Sequence, residues 1–348
     1  MDERLTYTKK EAGLYLTGLF GQNLIYNIVT AGLYYYFQNV ICLPAMALGW
    51  IFAIARIWDA INDPMMGSIV DKTKSKWGKC KPYLLFAPLV VCVITCAAFL
   101  NGNYAVAKQE GNTSAMVLIV AWAAVSYILW GMSYTAGDVP LWGVISRMSE
   151  VEKDRANLIA LARIVASIAA GLGIVSVVAL SQAANKQFGE SENAQKGFIV
   201  VGIAMTVIAS LLFECAGLGV KERVPNSEET KTMKESFVLM WKCKPFRRLM
   251  ISGILRAPLQ LLATVVMTLF TYYYCDGDLT NAFSNGKTFL TIVIVGGAFF
   301  IGQFGATAVC PALMKKTDVK KLYNLTALSA VPMALLFVTS VSYTHLTL

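Results

Sequence analysis

The chain has 348 residues, of which 56% are hydrophobic and only 15% charged, and it carries a net charge of +9. A soluble domain holds about 25% charged residues, so this composition excludes a soluble globular enzyme, a disordered chain and a nucleic-acid-binding module. The basic excess says nothing about partners until it is placed loop by loop.

Residues 1–11 are polar and mixed in charge, without the apolar core of a signal peptide, so the first hydrophobic stretch reads as a permanent span. A span needs about 20 mostly apolar residues. Nine stretches qualify: 13–37, 44–70, 83–100, 115–145, 156–181, 197–219, 248–274, 288–314 and 321–343. They predict an all-α polytopic membrane protein. The longest connection, 220–247, is rich in Lys, Glu, Thr and Ser and reads as a linker. It divides the chain into a six-helix bundle at 1–219 and a partial bundle of three helices at 248–340. Six spans, a linker and further spans is the layout of a two-half transporter. With three spans where six are expected, the second half reads as truncated. Basic turns at 71–76 and 315–321, each after the second span of a half, form a faint internal repeat. The closing segment 341–348, Val-Ser-Tyr-Thr-His-Leu-Thr-Leu, resembles translated adapter read-through and carries no functional expectation.

Orientation follows from where the basic residues fall. Segments 1–12, 71–82, 146–155, 220–248 and 315–321 hold 23 of the 30 Lys and Arg; the opposite loops hold Lys108, Lys186, Lys196 and Lys287. Basic residues stay on the cytoplasmic side. The expectation is a multi-pass protein of the inner (plasma) membrane with a cytoplasmic N-terminus, and no nucleic acid is needed to explain the charge. The eight cysteines show no metal-ligand spacing with a histidine nearby, and the sole histidine is His345. No zinc site or disulfide framework is expected, and a histidine-based triad, haem or proton relay in the body of the chain is excluded.

Charges inside the spans carry the functional signal. The second span contains Arg56-Ile-Trp58-Asp59-Ala-Ile-Asn62-Asp63-Pro64. A carboxylate at mid-bilayer costs roughly 2.5–3.5 kcal/mol on insertion scales. Asp59, Asn62 and Asp63 stand at i, i+3 and i+4 and share one helix face. Their oxygens at one depth suit a hard cation, so Asp59 and Asp63 are candidate ligands for Na⁺, or for a proton. An internal salt bridge from Arg56 to Asp59 is the alternative, and it leaves Asn62 and Asp63 unexplained. Pro64 is expected to weaken the helix and free backbone carbonyls.

The fourth span holds Tyr134-Thr135-Ala-Gly137-Asp138-Val-Pro140-Leu-Trp142. Gly137 and Pro140 are expected to loosen the helix around Asp138. Asp138 and Trp142 are one turn apart, and a carboxylate beside an indole suits a sugar; a membrane-interface anchor is the other reading of Trp142. Arg163 at the start of the fifth span either forks onto a carboxylate or sugar hydroxyls or snorkels to headgroups. The first span offers Gln22, Asn23 and Asn27 among Gly13, Gly18 and Gly21. Close helix packing explains the glycines, not the amides.

The run Ala55 to Pro64, continued by Met66-Gly67, Lys76-Trp-Gly-Lys79 and Lys81-Pro82, resembles the glycoside–pentoside–hexuronide:cation symporters. Tyr127-Ile-Leu-Trp-Gly-Met132, Tyr134-Thr135 and Asp138-Val-Pro-Leu-Trp142 match that family's fourth helix; Arg163, Ala166-Ser167 and Ala170-Gly171 match its fifth. The similarity is dense over 13–175 and looser beyond. It implies a major-facilitator fold of twelve helices, of which about nine are expected here, and cation-coupled sugar uptake by alternating access. It implies a cation site at Asp59, Asn62, Asp63 and Thr135, and sugar contacts at Asp138, Trp142 and Arg163. In the melibiose branch, an aspartate stands where this chain has Asn23 and a lysine where it has Gln22. Asn23 is thus an uncharged candidate for substrate binding, and α-galactoside specificity does not carry over.

The expected function is symport of a sugar or glycoside with Na⁺, Li⁺ or H⁺, with the bilayer as the other partner and no cofactor. Cation binding at Asp59 and Asp63 would relieve their repulsion, order spans two and four, and organise the sugar site around Asp138. The alternatives are a lysolipid-type carrier of the same fold, and a non-transporting membrane scaffold or enzyme. For the last, the sequence offers no nucleophile–base pair, metal motif or cofactor fingerprint.

Overall fold

The computed structural model describes residues 6–192, 194–224, 233–248 and 250–251, and among them there is no strand. The chain divides into two compact units, Met1–Arg247 and Arg248–Leu348. The spans expected at 288–314 and 321–343, nearly all of that at 248–274, and the tail 341–348 lie outside the described residues.

The first unit is a bundle of long helices: α1 (Lys9–Asn27), α2 (Ala45–Lys72), α3 (Lys81–Phe99), the short α4 (Tyr104–Gln109), α5 (Thr113–Gly143), the short α6 (Ile145–Met148), α7 (Glu152–Gln187) and α8 (Gln195–Gly219). Among the described residues, five stretches are long and apolar enough to cross a membrane: α2, Lys81–Gln109, Thr113–Met148, α7 and α8. They coincide with five of the spans expected from the sequence. The remaining one, 13–37, is helical throughout but irregular, because α1 runs on into π-helical turns at Ile28–Leu33 and Tyr36–Val40.

Local chemistry explains several boundaries. Thr8 caps α1: its Oγ1 accepts from Glu11 N, and Glu11 Oε2 accepts from Thr8 N, so two otherwise unmatched amides are satisfied reciprocally. Asn103 and Asn112 cap α4 and α5 more simply, each Oδ1 accepting from Val106 N and Ala115 N respectively. Pro82 lies in the first turn of α3, where a missing N–H costs nothing.

The helices meet through small residues. α1 lies along α8 and α7, α3 along α8 and α5, and α2 along α5. A Cβ on Gly18 would stand 2.6 Å from Ala216 N, and one on Gly21 would stand 2.5 Å from Phe213 N. Only glycine permits that approach of α1 to α8, which leaves Gln22, Asn23 and Asn27 for another role.

Neither proline ends its helix. α2 passes Pro64 and α5 passes Pro140 without interruption. Gly137 is buried against the Phe213 ring and Ala87, so it serves close packing rather than flexibility. Within the stretch read as a linker, residues 233–242 form a further helix, α9 (Met233–Lys242). The stretch's first residues are docked rather than free. Glu222 accepts from the backbone N–H groups of Lys79, Cys80 and Lys81, and the Arg223 and Val224 amides donate to Arg147 O. Gly78, at φ +112°, leaves room for the Glu222 carboxylate where a side chain would collide with it.

Candidate functional site

Along α5 the residues Thr135, Asp138 and Trp142 follow at i, i+3 and i+7, so they share one face. α1 and α5 approach each other chiefly through long side chains, not backbone. The polar groups singled out in the sequence lie on two sides of α5, toward α2 and toward α1.

On the α2 side, Thr135 Oγ1 donates to Asp63 Oδ1 at 3.0 Å. Thr135 is buried and Asp63 is exposed. Asp59, half-buried, lies over Gly131 of α5, where an added Cβ would stand 3.2 Å from Oδ1. Its Oδ2 meets Arg56 Nη1 at 3.4 Å. The salt bridge weighed as an alternative is therefore present, with the Arg56 side chain 63% exposed. Asn62 is 4% exposed, and its Nδ2 has no hydrogen-bond partner among the described residues. The indole nitrogens of Trp58 and Trp130 are in the same condition. Such unpaired buried donors are costly and stand out as candidates for a bound group.

On the α1 side, Gln22 is 1% exposed. Its Nε2 donates to Asp138 Oδ1 at 2.6 Å and also to the Tyr134 hydroxyl. Trp142 Nε1 donates to the same Oδ1 at 3.1 Å. The Arg163 guanidinium, from α7, lies 4.7 Å above the centre of the Trp142 ring, a cation–π contact. Arg163 thus turns to Trp142, and Trp142 to Asp138. Asn23 lies further back: its Nδ2 donates to Leu19 O and to Gln22 Oε1 at 2.7 Å. It orients Gln22 rather than reaching Asp138.

Two participants were not singled out beforehand. Gln22 was named only as part of a polar stripe and as the position of a lysine in the melibiose branch, because nothing in a lone sequence says which helix that stripe faces. Tyr26 of α1 stands 5.5 Å from Tyr134 and 6.2 Å from Trp130, and Trp130 stacks on Tyr134 at 5.1 Å. The i, i+3, i+7 spacing of Tyr127, Trp130 and Tyr134 was the available signal for this aromatic wall.

A bundle of membrane-length helices with ionisable side chains gathered between them is the construction of a solute carrier. Comparison with known proteins agrees. The family model described as MFS/sugar transport protein matches residues 14–348, and the chain belongs to that family, one of transporters rather than enzymes. The isoprimeverose transporter of Lactiplantibacillus pentosus is 26% identical over 269 residues, covering 75% of this chain and 53% of that protein. The inner membrane symporter YicJ of Escherichia coli is 28% identical over 250 residues, covering 71% and 50%. A lactose permease of Leuconostoc lactis is 28% identical over 186 residues, covering 52% and 28%. The chain spans about half the length of the first two.

Proposed function

We propose that the protein belongs to a secondary active carrier that imports a sugar or glycoside together with a monovalent cation, Na⁺, Li⁺ or H⁺, by alternating access. The observation that carries this reading is the placement of both candidate sites on one helix. Thr135 touches Asp63, and one turn further along α5, Asp138 is held by Gln22 and Trp142.

The cation is a substrate here. Asp59, Asp63, Asn62 and Thr135 supply the hard oxygen donors it favours. Its charge would relieve repulsion between the two carboxylates and tighten α2 against α5 through Thr135. That fixes the backbone turn bearing Asp138. Two donors already occupy Oδ1 of Asp138, so Oδ2 is the oxygen left to accept a sugar hydroxyl. The Trp142 and Tyr134 rings offer apolar surface to the C–H face of a pyranose, and Arg163 adds donors. Because cation and sugar each favour the same arrangement of α5, each raises the affinity of the other equally.

The basic end of the bundle is the one expected to be cytoplasmic. Lys72 to Lys81, Arg147, Arg155 and Arg223 share one end with the N-terminal segment. At the other, Lys186 and Lys196 are paired with Glu192 and Glu190 at 2.8 and 2.6 Å. This supports a cytoplasmic N-terminus in a plasma membrane.

The test is uptake of labelled sugars into cells or right-side-out vesicles carrying a full-length version, with and without a Na⁺, Li⁺ or proton gradient. Stimulation by one of these gradients, abolished by Asp59→Cys, is the expected result. Stimulation that survives Asp59→Cys refutes the cation assignment, and uptake of lysolipids in place of sugars refutes the substrate class.

A further inference from the structure

We propose that a groove over α5, between the end of α2 and the start of α3, holds one acyl chain of an acidic phospholipid whose headgroup rests on the lysines of the α2–α3 turn. The groove encloses about 410 Å³. Phe86, Ala87 and Val90 of α3 and Ser133 and Ala136 of α5 form its walls. Phe86 and Val90 are 60% and 48% exposed, and Leu89 and Val93 extend the same outward apolar face. In a bilayer such a face meets hydrocarbon, and a chain end is the one object of matching shape and polarity always at hand.

The groove's other end is polar and basic. Thr73 Oγ1 and the Tyr83 hydroxyl lie 2.7 Å apart there, and Ser75 also lines it. Lys72, Lys74, Lys76, Lys79 and Lys81 border this end, and none forms an ion pair among the described residues. The acids near them are already engaged. Asp71 faces Arg147 at 3.6 Å, and Glu222 is held by the three amides at the start of α3. A net positive charge therefore remains at the mouth. Trp77, 56% exposed in the same turn, suits the headgroup level. A zwitterionic lipid, or a helix from the C-terminal unit, would fill the groove but leave the lysines unmatched. An acidic headgroup meets both requirements.

The experiment uses the full chain in nanodiscs of phosphatidylglycerol and phosphatidylcholine, each supplied in turn with a photoactivatable group on its acyl chain, with labelled peptides mapped by mass spectrometry. Phosphatidylglycerol is expected to label the segments around Phe86–Val90 and Ala136, and phosphatidylcholine to label them far less. Lys72→Gln/Lys74→Gln/Lys76→Gln, an exposed triple change, is expected to lower the phosphatidylglycerol signal about a hundredfold, given roughly 1 kcal/mol per basic residue at a charged interface. Ala136→Trp fills the groove and should suppress labelling by both lipids; melting in detergent checks that each variant is folded. Equal labelling by the two lipids, an unchanged signal in the triple variant, or crosslinks from the groove to residues beyond 251 in place of lipid overturns the proposal.

Discussion

Thr135 Oγ1 donates to Asp63 Oδ1 across 3.0 Å and so ties α5 to α2. The bond is buried on the threonine side and open on the carboxylate side. Asp63 is therefore held in orientation from α5, which in the proposed function leaves its other oxygen to a cation.

Thr135→Val removes the donor and keeps the shape. A hydrogen bond to a charged group contributes about 1.5–3 kcal/mol, so the cation concentration for half-maximal sugar uptake should rise about tenfold or more. Thr135→Ser should restore it. The measurement is uptake against Na⁺ or Li⁺ concentration, or pH, in vesicles carrying a full-length version.

Gln22 is the residue through which α1 reaches Asp138. Gln22→Leu leaves Asp138 Oδ1 with Trp142 alone as donor, and sugar affinity should fall about tenfold on the same energetic grounds. Gln22→Glu sets a second carboxylate against Asp138 and should be worse. Displacement of a bound fluorescent glycoside reads both. Cation affinity measured in the absence of sugar should be unchanged in Gln22→Leu.

The α1–α8 contact tolerates no side chain at Gly18 or Gly21, because the obstructing atoms include backbone. Gly21→Ala should destabilise the bundle by about 1–3 kcal/mol, the usual cost of overpacking. Gly13→Ala and Gly49→Ala, where an added Cβ meets nothing within 4 Å, should be neutral or mildly stabilising. Thermal unfolding in detergent distinguishes the two classes.

Cys80 reports on the Glu222 contact. Burial pushes the Cys80 thiol up to about 12, with the Glu222 carboxylate adding to the effect. A thiol so held is unreactive at neutral pH. Maleimide should modify the exposed Cys42 and Cys243 and spare Cys80. Glu222→Ala, which leaves three α3 amides unmatched, should make Cys80 reactive, as read by mass spectrometry of the labelled peptide.

Glu11 and Arg223 form an ion pair at 2.7 Å that joins α1 to the segment after α8. Burial opposes the charge on Glu11, but the hydrogen bonds from Arg223 and Thr8 outweigh it and hold its carboxyl below the ordinary glutamate value. A lowered folded-state value means stabilisation that is present above the ordinary value and lost as pH falls through the folded one. Wild type should therefore melt above Glu11→Gln at neutral pH, and the difference should shrink below about pH 4. A set of melting curves against pH measures this.

How much of this was legible beforehand differs from residue to residue. The helices from 45 to 219 were set by runs of apolar side chains, because a backbone without water satisfies its hydrogen bonds only within its own helix. Asp59, Asp63 and Asp138 stood out by the cost of charge in a bilayer, and Asp138–Trp142 by helical spacing alone. Those are properties of one helix at a time. Which helix faces which is not such a property: that Gln22 rather than Asn23 meets Asp138, that Gly137 makes room for Phe213, that Tyr26 closes an aromatic wall with Trp130 and Tyr134, and that Glu222 docks on the start of α3 were decided only when the bundle assembled. Side chains more than a hundred residues apart are brought to hydrogen-bonding distance by close packing through glycine and alanine, and that fit depends on three-dimensional shape, which no local pattern encodes.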